Sequence, residues 1–286
     1  MPGAKEIRSK IGSVKNTQKI TRAMEMVAAS KIRRTQQRMT AARPYADGIR
    51  KIASHLYHAR PDYTPPYLAE REEKSAGYIL ISTDRGLCGG LNVNLFRHFL
   101  GELRRQADAG VSTQIVLIGA KAVQFFRNLD VNITGVASHL GEKPHIVDLV
   151  SAVRVLLQEF REERIDRMYL ARNVFVNTMS QQPVIQQLLP VALEQDDTLA
   201  AHWDYIYEPS AGELLDGVLE RYIETQVFRA AMENVACEMA AKMVAMKSAT
   251  DNAGKLIDEL QLQYNKARQA AITAEIAEII GGAEAV

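Results

Sequence analysis

The chain changes hydrophobic period twice. Near the start, apolar or small side chains recur at 7, 11, 14, 18, 21, 25, 28 and 32, in alternating steps of four and three. That is a heptad walk, the seam along which one helix lies against another, with Gln18, Thr21 and Glu25 as polar interruptions. Ile20, Met24, Val27 and Lys31 form a second stripe on the adjacent face. The small side chains of AMEMVAAS allow close helix approach. Pro44 falls inside the pattern, and the spacing predicts a kink there or a helix end near Arg43.

Residues 61–75 contain three prolines and a cluster of charges and read as a linker. Short β-rich runs follow at Tyr78–Ser82, Gln114–Ile118, Val131–Thr134 and Met168–Ala171, the last continuing toward Val176. They alternate with helix-like stretches at Val93–Asp108, Ala120–Leu129 and Ile146–Arg164. Such alternation predicts a mostly parallel sheet covered by helices, from about residue 76 to 195. All nine prolines lie at or before Pro209. Beyond it, apolar positions 257, 260, 264, 267, 271 and 274 step by three and four, and Leu215, Leu219 and Tyr222 begin a similar stripe upstream. A helix over that whole stretch would run roughly 110 Å at ~1.5 Å per residue. Helices of that length without caps are coiled coils, membrane spans or repeats, and the charge along this one leaves the coiled coil. The sequence therefore predicts an α/β fold: a long antiparallel coiled coil of the N- and C-terminal helices (1–60 and 209–286) with an inserted Rossmann-like α/β domain (61–208).

The net charge of +1 conceals an asymmetry that supports the pairing. Residues 1–60 carry 14 basic and 3 acidic side chains, a net of +11, while residues 210–286 carry 7 basic and 12 acidic, a net of −5. A basic arm on an acidic body points to nucleic acid, to an acidic partner or to pairing within the chain. No apolar run reaches the ~18–20 residues of a membrane span. The charged N-terminus has no apolar core of a signal peptide. Membrane association is thus expected only through partners.

Candidate chemistry is sparse. STDRGLCGGL (82–91) joins a strand to a helix, where α/β proteins often hold phosphate, but Gly86, Gly89 and Gly90 spell neither GxGxxG nor a Walker loop. A tight turn requiring positive φ is the simpler reading. Cys88 lies in that turn near a helix start, yet no histidine completes a nucleophilic site, and Cys88 and Cys237 form neither a CxxC nor a zinc cluster. The basic band of Ser30–Arg34 with Arg38 is a solvated helix face, a nucleic-acid contact or a dock for acidic loops. His202–Pro209 (HWDYIYEP) is an edge strand with core aromatics or an exposed docking foot. The sequence yields no HExxH and no assembled triad, and no cofactor or metal is expected.

Three segments in order add a resemblance. Lys5–Ser30, Ser82–Asn94 and Glu259–Ala285 resemble the first helix, the insertion turn and the signature helix of the ATP synthase gamma-subunit family. In the last, Ile272, Thr273, Glu275, Glu278, Gly282 and Ala283 fit its pattern. The resemblance implies a bacterial-type rotor shaft with no catalytic site of its own. It would sit inside a ring of three alpha and three beta subunits, clamped to the epsilon subunit and the c-subunit ring. The chain would lie peripherally on the cytoplasmic face of the inner membrane, touching membrane only through the c ring and no nucleic acid. By resemblance, torque contacts fall at Met24, Lys31, Arg33 and Arg34 on the first helix and at Arg268, Gln269 and Thr273 on the last. The contact with the ring falls at Tyr205, Tyr207 and Glu208.

Overall fold

The computed structural model describes residues 4–59, 65–191 and 211–284. Two long helices bracket a five-stranded sheet: α1 is Ala4–Ala59 and α5 is Ala211–Glu284. Between them lie β1 (Ser75–Ile81), α2 (Leu91–Asp108), β2 (Ser112–Ile118), α3 (Ala120–Phe126), β3 (Ile133–Ala137), α4 (Ile146–Arg161), β4 (Arg167–Phe175) and β5 (Gln181–Leu189). The chain divides into two compact units. One comprises its two ends, up to Ser30 and from Lys242 on, and the other runs from Lys31 to Ala241.

Within the first unit the heptad walk is the buried seam. Ile7, Ile11, Thr21 and Ala28 are buried, Val14, Gln18 and Glu25 half-buried, and nearly everything between is exposed. Thr21 Oγ1 lies 2.7 Å from Thr250 Oγ1, and Gln18 Nε2 donates to Thr250 O at 3.4 Å. A Cβ on Gly254 would touch Gln18 Nε2 at 3.2 Å. Moving forward on α1 from 18 to 21 thus moves back on α5 from 254 to 250, so the pair is antiparallel. Two of the three polar interruptions in the stripe, Gln18 and Thr21, are therefore cross-helix contacts that fix register, as buried polar residues do in coiled coils.

The same register explains where the C-terminal stripe fails. Ala253 is buried and Ile257, Leu260, Tyr264 and Ala267 are half-buried, but Ala271 and Ala274 are exposed. Ala4, fourteen residues before Gln18, comes level with a position about fourteen past Gly254, near Arg268. Past that point no helix among the described residues covers the stripe of α5.

Pro44 neither ends α1 nor interrupts its helical run, which continues to Ala59. It stands on an exposed face, as does Thr40, whose carbonyl loses its donor to the proline and can turn to water instead.

In the second unit the sheet order is β3-β2-β1-β4-β5, parallel from β3 to β4 with β5 antiparallel at the edge. Both faces of the sheet are covered, so its central strands read as continuous apolar runs rather than alternating ones. Ile79, Ile81, Val116, Ile118 and Leu170 face α4 and the first half of α5, through Leu156, Phe160, Leu219 and Ile223. Tyr78, Leu80, Ile115 and Leu117 face α2 and α3, through Leu95, Phe99 and Phe126. β5 is absent from the sequence expectation. Pro183 and four glutamines (181, 182, 186 and 187) disguise it, and it is tolerated because it is an edge strand.

Candidate functional site: a filled crevice and an exposed helical stem

In an open parallel sheet, ligands bind beyond the carboxyl ends of the strands where the strand order reverses, here between β1 and β4. The turn after β1 would have to supply the cradle. Its polar side chains Ser82, Thr83 and Asp84 are engaged internally, and Arg85 is exposed. Ser82 Oγ donates to Ile118 O at 3.1 Å and accepts the Ala122 N–H at 2.9 Å. Thr83 Oγ1 donates to Arg85 O at 2.6 Å and accepts from Asn92 Nδ2 at 2.7 Å. Leu87 and Gly89 carry positive φ of 65° and 57°, so the turn is tight as expected.

Asp84, which the sequence reading passed over, is the hub of this end of the sheet. Its carboxylate accepts N–H groups from Ala120 (3.0 Å), His139 (2.9 Å) and Gly141 (3.0 Å). Burial alone would raise its pKa, but the three N–H donors outweigh that and hold it below the ordinary carboxylate value. A lowered folded-state pKa means the stabilisation is fully present above the unfolded value, ~3.9, and is lost as pH falls through the folded one. Asp84→Ala should therefore release the 138–145 loop, raising hydrogen exchange at His139 and Gly141 at neutral pH. At strongly acid pH, variant and parent should exchange alike. Equal protection at neutral pH would contradict this role. The only remaining signal in the sequence was an aspartate two residues into a strand-to-helix turn.

The crevice itself is filled by α5. Ala230, Ala231, Ala236, Cys237 and Ala240 are buried. A cavity of only ≈30 Å³ is left where Ser82, Asp84 and Gly119 approach Asn234 and Glu238, room for about one or two waters. Polar contacts fix the helix there. Glu233 accepts the Phe175 N–H at 3.1 Å and pairs with the Arg172 guanidinium. Asn173 Nδ2 donates to Asn234 Oδ1 at 3.4 Å, and Cys237 Sγ donates to Asn173 O at 3.7 Å. Burial pushes the Cys237 thiol pKa up, and the nearby Glu233 adds to the shift, so it is held as a thiol. Cys88 is buried against the same small cluster with Leu91.

The predicted contact residues within the described segments lie on α1 and α5. Met24 is half-buried, while Arg33, Arg34, Arg268, Gln269 and Thr273 are exposed. Lys31 is already paired with Glu142 of the Asp84-held loop at 2.5 Å. On the second stripe of α1, Ile20 is 60% exposed and Val27 53%. Past the end of the pair, Ile272, Ile276, Ile279 and Ile280 are also exposed. Tyr205, Tyr207 and Glu208, with the whole of His202–Pro209, lie outside the described residues. Among the described residues no helix is long and apolar enough to cross a membrane.

A paired-helix stem with uncovered apolar stripes, and an α/β domain whose ligand crevice holds a helix instead, define a helical-shaft protein. The family model described as ATP synthase matches residues 3–286. An ATP synthase gamma chain of Nitrosococcus oceani is 57% identical over 289 residues, with 100% of each chain covered. The chain belongs to the ATP synthase gamma-chain family. Solved structures share the fold. A chain of the Tetrahymena thermophila mitochondrial ATP synthase central stalk and c-ring aligns with TM-score 0.60 and 22% identity, over 80% of this chain and 99% of that one. A chain of the Euglena gracilis mitochondrial ATP synthase, in a structure of OSCP, F1 and c-ring, aligns with TM-score 0.67 and 21% identity, over 99% and 94%.

Proposed function

We propose that this chain is the central rotor shaft of a bacterial ATP synthase, turned by a proton-driven c ring and turning inside a ring of three alpha and three beta subunits. The observation that carries the reading is full-length kinship to a gamma chain, joined to a stem whose C-terminal end leaves four isoleucines uncovered. Uncovered apolar side chains at the end of a paired helix fit a sleeve that surrounds the shaft without gripping it. The filled crevice supports the view that the chain has no catalytic site and that nucleotide and magnesium belong to the ring. Tyr205, Tyr207 and Glu208 form the foot on the c ring, beside the epsilon subunit, and the chain lies on the cytoplasmic face of the membrane.

Torque passes through Met24, Arg33, Arg34, Arg268, Gln269 and Thr273, whose side chains are left at least partly free by the chain itself. Lys31 exchanges Glu142 for a ring carboxylate in some orientations. Mixing the chain with matched alpha and beta subunits tests the reading: one copy should enter each ring and ATP hydrolysis should become steady. Absence of any complex would overturn it. Met24→Lys places a charge in a closely apposed segment, where an unpaired ammonium is costly. Proton pumping per ATP hydrolysed should fall several-fold while assembly is kept, and unchanged pumping would refute the assignment of Met24.

A further inference from the structure

The face of the inserted domain opposite α5 carries a groove that nothing in the shaft reading uses. It is a cavity of ≈700 Å³ between α2 and α3, and no carboxylate is among its lining residues. Along α2, Val93, Arg97, Leu100 and Arg104 stand at i, i+4, i+7 and i+11, one stripe on which apolar and cationic side chains alternate. The opposite wall is Lys121 and Phe125 of α3, with Phe125 stacked on Phe96 at 4.9 Å between centroids.

Three features lack any reason within the chain. Leu87, on the rim, holds a positive φ of 65° and is nevertheless 62% exposed. A leucine in that conformation is strained, and it gains no burial in return. Val93 and Phe125 are 56% and 43% exposed beside it. Gly101 sits inside α2 with nothing within 4 Å of where its Cβ would be. Glycine there costs roughly 1 kcal/mol of helix stability relative to alanine, and no neighbour in the chain needs the space. The groove's cations make no ion pair among the described residues.

We propose that this groove is a docking site for an acidic amphipathic helix of another protein chain. Arg97 and Arg104 are one heptad apart, about 10.5 Å along the axis. They would meet two carboxylates spaced one heptad apart on the incoming helix, with apolar residues between them seated on Val93, Leu100 and Phe125. Gly101 lets that helix approach the α2 backbone closely. Aromatic and arginine side chains around an apolar centre are the composition of an interface hot spot. An extended segment would gain nothing from the heptad spacing, and an acyl anion would use one cation rather than three.

Two measurements decide it. In the first, a helical probe peptide with glutamates at positions 1 and 8 and leucines at 4, 5 and 11 is titrated onto the full chain. Saturable binding is expected, weakened at least about ten-fold by the exposed-surface charge reversal R97E/R104E and absent for a probe with lysines in place of the glutamates. Binding that ignores R97E/R104E, or no saturable binding, overturns the proposal. In the second, a photo-crosslinking phenylalanine analogue at position 125 is activated in the purified, assembled complex. A crosslink to a helix with two acidic residues one heptad apart, lost on R97E/R104E, supports it. Crosslinks to lipid, to this chain itself or to a non-acidic segment, or none, overturn it. Loss of the complex altogether would count against the shaft reading, and the peptide titration on the chain alone would still decide the groove.

Discussion

Gly119→Ala should destabilise the inserted domain by about 3 kcal/mol or more, the scale of a backbone clash joined to a forbidden φ. Gly119 follows β2 and opens α3 with φ 95°, a conformation open to glycine alone. A Cβ there would lie 2.4 Å from Ser82 O and 2.6 Å from Ser82 Oγ. The nearer obstacle is main chain at the end of β1, in the centre of the sheet, and it cannot rotate away. Ser82 N–H donates to Ile118 O at 2.8 Å, so moving Ser82 breaks the junction of β1 and β2 as well. The cap that Ser82 gives α3 is lost with it. Denaturant unfolding followed by hydrogen exchange in β1 and β2 reads the loss. Because the clash lies in the unit from Lys31 to Ala241, exchange along residues 4–30 and 250–270 should change far less. A stability within about 1 kcal/mol of the parent would mean that the turn can rearrange, contrary to the packing described.

Much of the architecture was legible because it follows from period. The step of three and four at 7, 11, 14, 18, 21, 25, 28 and 32 is the buried seam, and the runs at 78–82 and 114–118 are the doubly covered central strands. What periodicity misses depends on partners distant in sequence. Ala271 and Ala274 continue the stripe of α5, but burial needs an opposing helix, and α1 has run out by then. β5 is hidden because an edge strand needs only one good face, and Gln186 and Gln187 can stand in water. Pro44 looks like a helix breaker because sequence cannot say which face it occupies. Among site residues, the exposed torque candidates came from resemblance, since an exposed arginine on a long helix has no local signature. Asp84 and Glu233 escaped for a different reason: each is one carboxylate among many until the fold brings it three N–H donors, or a guanidinium and an N–H.

Glu233 is where the inserted domain holds the helix in its crevice, and Glu233→Ala should cost about 3 kcal/mol, within the range for breaking a buried ion pair by removing one partner. The pair is only partly solvated, with Arg172 and Glu233 side chains 17% and 19% exposed. Removing the carboxylate leaves two donors without their acceptor, the Arg172 guanidinium and the Phe175 N–H. Gln186 Oε1, 3.3 Å from Arg172 Nη2, is a neutral acceptor and only partly compensates. Arg172→Met should cost less, since Glu233 keeps the Phe175 N–H. The double change Arg172→Met with Glu233→Ala should cost much less than the two single costs together, because it leaves no stranded charge. That ordering separates a charge left unpaired from a simple loss of packing, which would make the two single costs add. Chemical denaturation of the four proteins gives the cycle, and strict additivity would remove the pair from any special role. In the assembled complex the same four chains ask a second question. A helix loosened in the crevice lets the domain slip against the shaft, so Glu233→Ala should lower proton pumping per ATP hydrolysed, and the apolar double variant should restore it as far as it restores stability.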